Sequence, residues 1–139
     1  MQPAHARSGL EIIPHKECIR LLGTQRLGRL GFIVDGYPMV LPVNYAIQGD
    51  VVVFRTGEGT KLDAAAGARV TLEVDEVDQR TGTGWSVVVQ GMARDITDDT
   101  DWFAESLRQA AAPTLLPKQP DHYVRIDPTL ISGRRLPAC

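Results

Sequence analysis

The sequence is poor in cysteine, in net charge and in long apolar runs, and each scarcity excludes a class of protein. Two cysteines, Cys18 and Cys139, are too few for a disulfide framework, which favours a reducing cytoplasm. A formal net charge of -2 argues against a nucleic-acid binder, although one local basic pocket remains compatible with it. No apolar run approaches the ~18 residues of a membrane span. Residues 1–10 lack the apolar core of a signal peptide.

What is present fits a single globular domain. The length of 139 residues suits one domain, and a chain of this size buries a core without disulfide or metal staples. Hydrophobic residues make up 43% and charged residues 23% of the chain, which is ordinary for such a domain. We expect a loose arm over residues 1–10 and one domain over residues 11–139.

Turn residues and β-branched runs predict a meander of strands with short helices. Asp35-Gly36 separates two β-rich runs and is typical of a hairpin turn with positive φ. The predicted elements are a helix at 14–22, strands at 26–34, 37–47 and 51–56, a helix at 62–66, strands at 69–77 and 85–97, a helix capped by 98–101, and a strand at 123–131 before a basic tail. Antiparallel neighbours of this kind favour a closed or nearly closed barrel, because closure hides the sheet edges.

A glycine-rich loop at 57–61 follows the strand 51–56 and is a candidate phosphate site. Its glycines let a backbone approach an anion closely, and the helix start behind it offers free N–H groups. Lys61 adds a positive charge, Thr60 a hydroxyl and Arg55 a guanidinium fork. The spacing is not that of a Walker loop. A surface turn that simply starts a helix would show the same residues.

The strand segment 39–45 is a candidate contact for a planar ring. Pro42 inside a strand belongs at an edge or a bulge, and an edge leaves backbone N–H and C=O groups available to a heterocycle. Asn44 adds side-chain hydrogen bonds. The alternative is an ordinary edge strand with Asn44 near a turn.

The strand that begins Gly84-Trp85-Ser86 offers a third contact. Trp85 could cover a ring and Ser86 could donate a hydrogen bond to it. The alternative is that Trp85 is a core aromatic, which is the commoner role of tryptophan. The same strand contains Gly91, which indicates a bulge or a close backbone approach.

Other chemistry lacks a complete set of residues. His15 and Cys18 lie one helical turn apart, but zinc takes four ligands and no second pair accompanies them. No Ser/His/Asp set presents itself, since His122 falls in a proline-rich loop and the other histidines lie near the N-terminus. We therefore expect no metal site, and no catalytic side chain is assigned.

Several segments together resemble the pyridoxamine 5′-phosphate oxidase-related split barrels. The similarity extends over roughly residues 10–136, and the order and spacing of its segments are more specific than any one of them. Three segments resemble the family as a whole: 28–31 (Gly-Arg-Leu-Gly), 41–45 (Leu-Pro-Val-Asn-Tyr) and 59–62 (Gly-Thr-Lys-Leu). Two more, 84–86 and 131–136, resemble a small actinobacterial branch of the family.

This resemblance implies a mainly β fold, a six-stranded antiparallel Greek-key split barrel, that forms a homodimer with FMN at the interface. It implies that Lys61 meets the flavin phosphate and that Trp85 and Ser86 come from the strand that the partner chain presents to the ring. The implied cofactor-binding residues are Met39, Leu41, Pro42, Val43, Asn44, Phe54, Arg55, Thr56, Thr60, Lys61, Trp85 and Ser86.

The sequence also departs from the family pattern. Classical members carry arginine where Met39 and Thr60 stand, so two phosphate contacts are missing and Arg55 is the candidate replacement. The C-terminal substrate segment of true pyridoxamine phosphate oxidases is not recognisable, and vitamin B6 oxidation is therefore not predicted. Actinobacterial relatives include binders of a deazaflavin coenzyme, which makes deazaflavin the alternative to FMN.

The expected function is a flavin-dependent oxidoreductase. It would move hydride or electrons from a reduced nicotinamide or deazaflavin donor to a small organic acceptor, with the hydride chemistry supplied by the cofactor. Two alternatives stay open, a deazaflavin-dependent reductase and a non-catalytic flavin carrier, buffer or redox sensor, because a fold does not fix a function.

Overall fold

The computed structural model describes residues 10–57, 59–111 and 122–137, without the side chains of residues 60–62. Within that part of the chain, seven strands and three helices follow one another. They are β1 (Glu11–Ile13), α1 (His15–Leu22), β2 (Leu27–Val34), β3 (Tyr37–Gln48), β4 (Val51–Thr56), α2 (Thr60–Ala65), β5 (Arg69–Val77), β6 (Gly84–Asp95), α3 (Trp102–Ala110) and β7 (His122–Leu136).

The predicted strands and helices are confirmed, and most of them begin and end within one or two residues of the prediction. The exceptions lie near the first and the last described residues. The strand β1 was not predicted. The final strand extends to Leu136, so that the expected basic tail, Arg134 and Arg135, belongs to β7. His122 begins that strand and does not lie in the proline-rich loop to which the sequence analysis assigned it.

Six antiparallel strands close a barrel. The order is β1-β7-β4-β3-β2-β5-β6, and β6 pairs again with β7, which closes the ring from β2 to β7. The expected six-stranded split barrel is therefore confirmed, with β1 as an additional strand. The first part of β7 pairs with β4 and its last part pairs with β1, at Glu11–Arg135 for example. The strand β1 thus occupies the edge of β7 that β4 leaves.

Alternation along each strand fills the barrel interior with apolar side chains. Strands β5 and β6 show the period-2 pattern of burial expected of strands with one buried face. The side chain of Tyr45 joins this core, and its hydroxyl donates to the Leu22 carbonyl oxygen at 2.6 Å, which ties α1 to β3. The fully buried interior residues include Val52, Phe54, Leu72, Val74, Val87, Val89, Val124 and Ile126.

A smaller core lies outside the barrel, where α3 covers β4. Leu107 of the helix packs with Val53 and Ile96. The helix begins at Asp101, whose carboxylate accepts from the Ala104 N–H at 3.1 Å and satisfies one of the free donors of the first turn. No helix in the described ranges has both the length and the apolar character needed to cross a membrane.

A split between two strands as the candidate cofactor site

The barrel opens between β3 and β4. These strands pair from Gln48–Val51 to Tyr45–Phe54 and then separate. Beyond that point β4 pairs with β7 alone, whereas residues 37–44 of β3 pair with β2 alone. Within the described ranges, the two facing edges carry no partner strand. The backbone N–H and C=O groups along them are therefore available to a ligand.

The register places four side chains at the root of the split. Continuing the pairing by one residue would bring Asn44 opposite Arg55 on the outer face of the barrel, and Val43 opposite Thr56 on the inner face one residue further. Asn44 is exposed and Arg55 is half-buried. The Arg55 guanidinium carbon lies 5.1 Å from the ring centroid of Tyr123, a cation–π contact that orients this side chain against the outer face.

The first half of β3 is accessible on both of its faces. Met39 is 41% exposed and Val40 is 65% exposed, although they point to opposite sides of the strand. A strand inside a closed barrel would bury one of these two positions. The accessibility of both is what makes this segment a candidate binding edge.

The predicted cofactor residues fall into three groups. The structure brings together those of β3 and β4, namely Met39, Leu41, Pro42, Val43, Asn44, Arg55 and Thr56, along the split. The backbone of Thr60 and Lys61 opens α2, which follows β4, but their side chains lie outside the described residues. The other three predicted residues, Phe54, Trp85 and Ser86, do not face the split.

Phe54 and Trp85 lie in the barrel core. Phe54 is 2% exposed and Trp85 is 7% exposed, and both pack among the interior residues. Trp85 therefore has the position that the alternative interpretation gave it, that of a core aromatic. A contact of either side chain with a ring would have to be made through the small area that remains accessible.

Ser86 belongs to a polar cluster on the outer face. Its hydroxyl donates to Glu73 Oε2 at 2.8 Å, and Arg29 donates to Asp75 Oδ2 at 3.0 Å. Burial raises the pKa of Glu73, and the neighbouring Asp75 raises it further. The Ser86 hydroxyl is thus engaged within its own chain.

A histidine–carboxylate pair that the sequence analysis missed lies at the end of the barrel. His122 Nδ1 is 3.2 Å from Asp95 Oδ2, and the Thr97 N–H donates to Asp95 Oδ1 at 2.9 Å. The Tyr123 N–H donates to the Thr97 hydroxyl oxygen at 2.9 Å. Burial raises the pKa of Asp95, but the Thr97 hydrogen bonds and the His122 charge outweigh it, and the pKa is lowered.

An apolar surface covers the outside of the β2–β3 hairpin. Leu27, Ile33 and Val40 are each more than half exposed, and strand pairing puts them on the same side as Pro38 and Pro42. We call these five residues the hairpin face. Arg29 lies on the same side, opposite Pro42, and is also exposed. Several exposed apolar side chains on one side of a hairpin make that side a candidate interaction surface.

Comparisons with known proteins agree with this architecture. A family model described as pyridoxamine 5′-phosphate oxidase matches residues 14–135. An uncharacterised protein of Mycobacterium tuberculosis is 32% identical over 142 aligned residues, which span 98% of this chain and 91% of the relative.

Two solved structures extend the comparison to three dimensions. An FAD-binding protein from Mycobacterium smegmatis superposes with a TM-score of 0.78 at 37% identity, over 90% of this chain and 97% of that one. An FAD-binding protein from Mesorhizobium loti superposes with a TM-score of 0.72 at 28% identity, over 92% of this chain and 99% of that one.

Proposed function

Because this chain belongs to the pyridoxamine 5′-phosphate oxidase family, we propose that it binds a flavin nucleotide in the split between β3 and β4. One observation carries the proposal. Residues 37–44 of β3 form an edge that lacks a second strand partner among the described residues and is accessible on both faces. The similarity to two proteins named for FAD binding supports a flavin as the occupant.

The residues present fit such a ligand. Backbone donors and acceptors along β3 would hold the polar edge of the ring, and Val43 with Leu41 would exclude water from its inner side. Arg55, oriented by Tyr123, would place a positive charge at the outer lip. Lys61 follows the glycine loop and would meet the phosphate. FMN is the cofactor predicted from the sequence, and FAD and deazaflavin are the competitors in a titration.

The activity we propose is oxidoreduction of a small organic acceptor. A bound flavin supplies hydride transfer, and the chain supplies binding and orientation. Turnover with a reduced nicotinamide or deazaflavin donor tests this activity, and tight flavin binding without turnover for any donor would favour a carrier or sensor.

The purified protein is expected to be yellow. The substitution Lys61→Ala is expected to weaken flavin nucleotide binding by about 1–3 kcal/mol, the scale of a hydrogen bond to a charged group. Fluorescence titration of the apoprotein with FMN and FAD measures the change. Lys16→Ala is the matched control, because Lys16 is an exposed lysine on α1. Equal affinity of the two variants would show that Lys61 is a solvated helix residue.

We also propose that a second copy of this chain covers the hairpin face, so that the protein is a homodimer. Val40→Asp would bury a charge in that interface and is expected to give a monomer. The mass in solution, measured by light scattering, checks the expectation. Trp102→Asp is the control, since Trp102 is 76% exposed on α3 and should leave the dimer intact. A wild-type monomer would refute the homodimer.

A further inference from the structure

We propose that two copies of this chain pack the outer faces of β3, β2 and β5 against each other in antiparallel orientation, with Arg69 of each copy paired to the partner's Asp75. This inference rests on the proposed homodimer and goes further, because it names the paired residues and the orientation of the copies. It extends the hairpin face onto β5, the strand that pairs with the other edge of β2.

The outer face of β5 is basic at its start and acidic at its end. Arg69 begins the strand and is exposed, whereas Glu73 and Asp75 lie further along the same face and are half-buried. Arg29 lies 3.0 Å from Asp75 and 3.5 Å from Glu73, so one cation serves two carboxylates. Burial and the neighbouring Asp75 raise the pKa of Glu73, and a second cation would therefore be stabilised at this end.

Arg69 is suited to be that second cation when it comes from another copy. In the part of the chain that the structure describes, Arg69 takes part in no ion pair, and it lies at the far end of β5 from the two carboxylates of its own chain. Two such faces that meet in opposite directions bring each Arg69 to the acidic end of the partner strand. The face is therefore electrostatically complementary to a second copy of itself.

One row of the sheet provides a centre for the two-fold symmetry. Leu41, Leu30 and Leu72 are direct neighbours on β3, β2 and β5, and all three side chains contribute to the interior of the barrel. A two-fold axis that crosses the outer face above this row reverses each strand about its leucine. On β5 this operation places Arg69 opposite the partner's Asp75, since the two residues are equally distant from Leu72 in the sequence.

The same operation pairs the exposed apolar residues of the hairpin face with one another. On β2 it places Leu27 opposite the partner's Ile33, and both side chains are more than half exposed in the single chain. On β3 it places Val40 opposite the partner's Pro42. These contacts would remove apolar surface from water, which favours association. Sheets that pack face to face commonly keep their strands within about 30° of each other, so the alignment is an ordinary one.

The polar residues near the axis are compatible with this packing. Arg29 falls opposite the partner's Gly31, which has no side chain and leaves room for the arginine. Glu73 falls opposite the partner's Thr71, whose hydroxyl can donate to a carboxylate. The outer faces of two barrels curve away from the strands in closest contact, here β2, so a pair on β5 has to bridge a wider gap. The long side chain of Arg69 suits that position.

The test uses two charge variants of the full chain, Arg69→Asp and Asp75→Arg, whose folding is checked by circular dichroism. Each variant alone places like charges opposite each other twice in the dimer, and we expect its dimer dissociation constant, measured by sedimentation, to rise at least about tenfold. When the two variants are mixed, opposite charges meet at both positions, so a heterodimer should form with close to the wild-type affinity. Arg80→Asp is the matched control, because Arg80 is exposed in the turn after β5.

Cross-linking gives a second measurement that changes no charge and applies even if a charge variant fails to fold. Leu27→Cys and Ile33→Cys, each combined with Cys139→Ser, are mixed and treated with a short bismaleimide, and Cys18 is buried. The mixture should give a covalent heterodimer. Either variant alone should give little, because two copies of the same cysteine would lie about 20 Å apart along the strands.

Charge variants that dimerise as tightly as wild type would overturn the antiparallel interface, as would a mixture that gives neither a heterodimer nor a cross-link. If Val40→Asp still gave a monomer in that case, the homodimer through the hairpin face would stand and its proposed orientation alone would fail. A wild-type protein that is monomeric would instead refute the proposed homodimer itself.

Discussion

Replacing Gly91 with alanine is expected to destabilise the protein by about 3 kcal/mol or more, the upper range for an overpacked site. A Cβ on Gly91 would lie 2.0 Å from the Asp127 carbonyl oxygen and 3.0 Å from Pro128 Cα. Both atoms belong to the backbone of β7, so no side chain can rotate away to relieve the clash. The two strands would have to separate at this point.

Chemical denaturation of wild type and variant measures the loss. Gly57→Ala is the matched control, because an added Cβ at Gly57 meets nothing within 4 Å. The control should change the free energy of unfolding by no more than about 0.5 kcal/mol. If both variants unfolded at the wild-type denaturant concentration, β6 and β7 would not approach each other as closely as the structure describes.

Gly91 affects the candidate site because it lies opposite the part of β7 in which that strand changes its pairing partner from β4 to β1. The register between β6 and β7 shifts at Gln90/Gly91, which leaves Thr129 as an extra residue on β7. The part of β7 before this bulge pairs with β4 and carries His122, and the part after it pairs with β1. A bulge increases local twist and bends its strand, which allows one strand to serve both neighbours. The sequence predicted a bulge or a close backbone approach at Gly91, and the structure has both: the register shift at Gln90/Gly91 and the Asp127 carbonyl oxygen packed against Gly91.

Local features of the sequence were sufficient to place most elements. Asp35 and Gly36 have φ values of 49° and 82°, as the hairpin turn requires. Alternating apolar residues located β5 with the correct ends at Arg69 and Val77. These predictions succeed because the turn chemistry and the period-2 pattern depend on residues that are adjacent in the chain.

The elements that the sequence missed depend on distant partners. The strand β1 has three residues and exists because the end of β7 offers it an edge. Arg134 and Arg135 have the composition of a solvated tail, and they are strand residues because β6 pairs with them through Ser86 and Trp85. Neither partner can be read from the neighbouring sequence.

The same distinction applies to the candidate site. Pro42 correctly indicated an edge strand, because a proline cannot donate to a ladder. The Asp95–His122 contact joins residues 27 positions apart and forms only when β6 meets β7 in the closed barrel. Trp85 shares its buried strand face with Val87 and Val89, as the core-aromatic alternative in the sequence analysis predicts. The ring contact that the family resemblance implies for Trp85 stays a prediction.

Phe54→Ala is expected to cost about 3–5 kcal/mol of stability, the usual loss for a buried phenylalanine. Phe54 is 2% exposed and lies between Tyr45 and Val124, its neighbours in the β3–β4 and β4–β7 ladders. It is also the last residue of β4 that pairs with β3, so the cavity would form at the root of the split. Thermal and chemical denaturation measure the loss, and Trp102→Ala, at an exposed aromatic, should be nearly neutral.

Phe54→Leu separates the packing role of this residue from the cofactor contact that the resemblance implies. Leucine keeps most of the apolar volume but removes the aromatic ring, so the loss of stability should be smaller than for alanine. Because Phe54 points into the barrel, flavin affinity should stay within about twofold of wild type. A leucine variant that kept its stability and lost flavin binding tenfold would mean that the ring contacts the cofactor. In that case the inner face of β4 would have to open when the ligand binds.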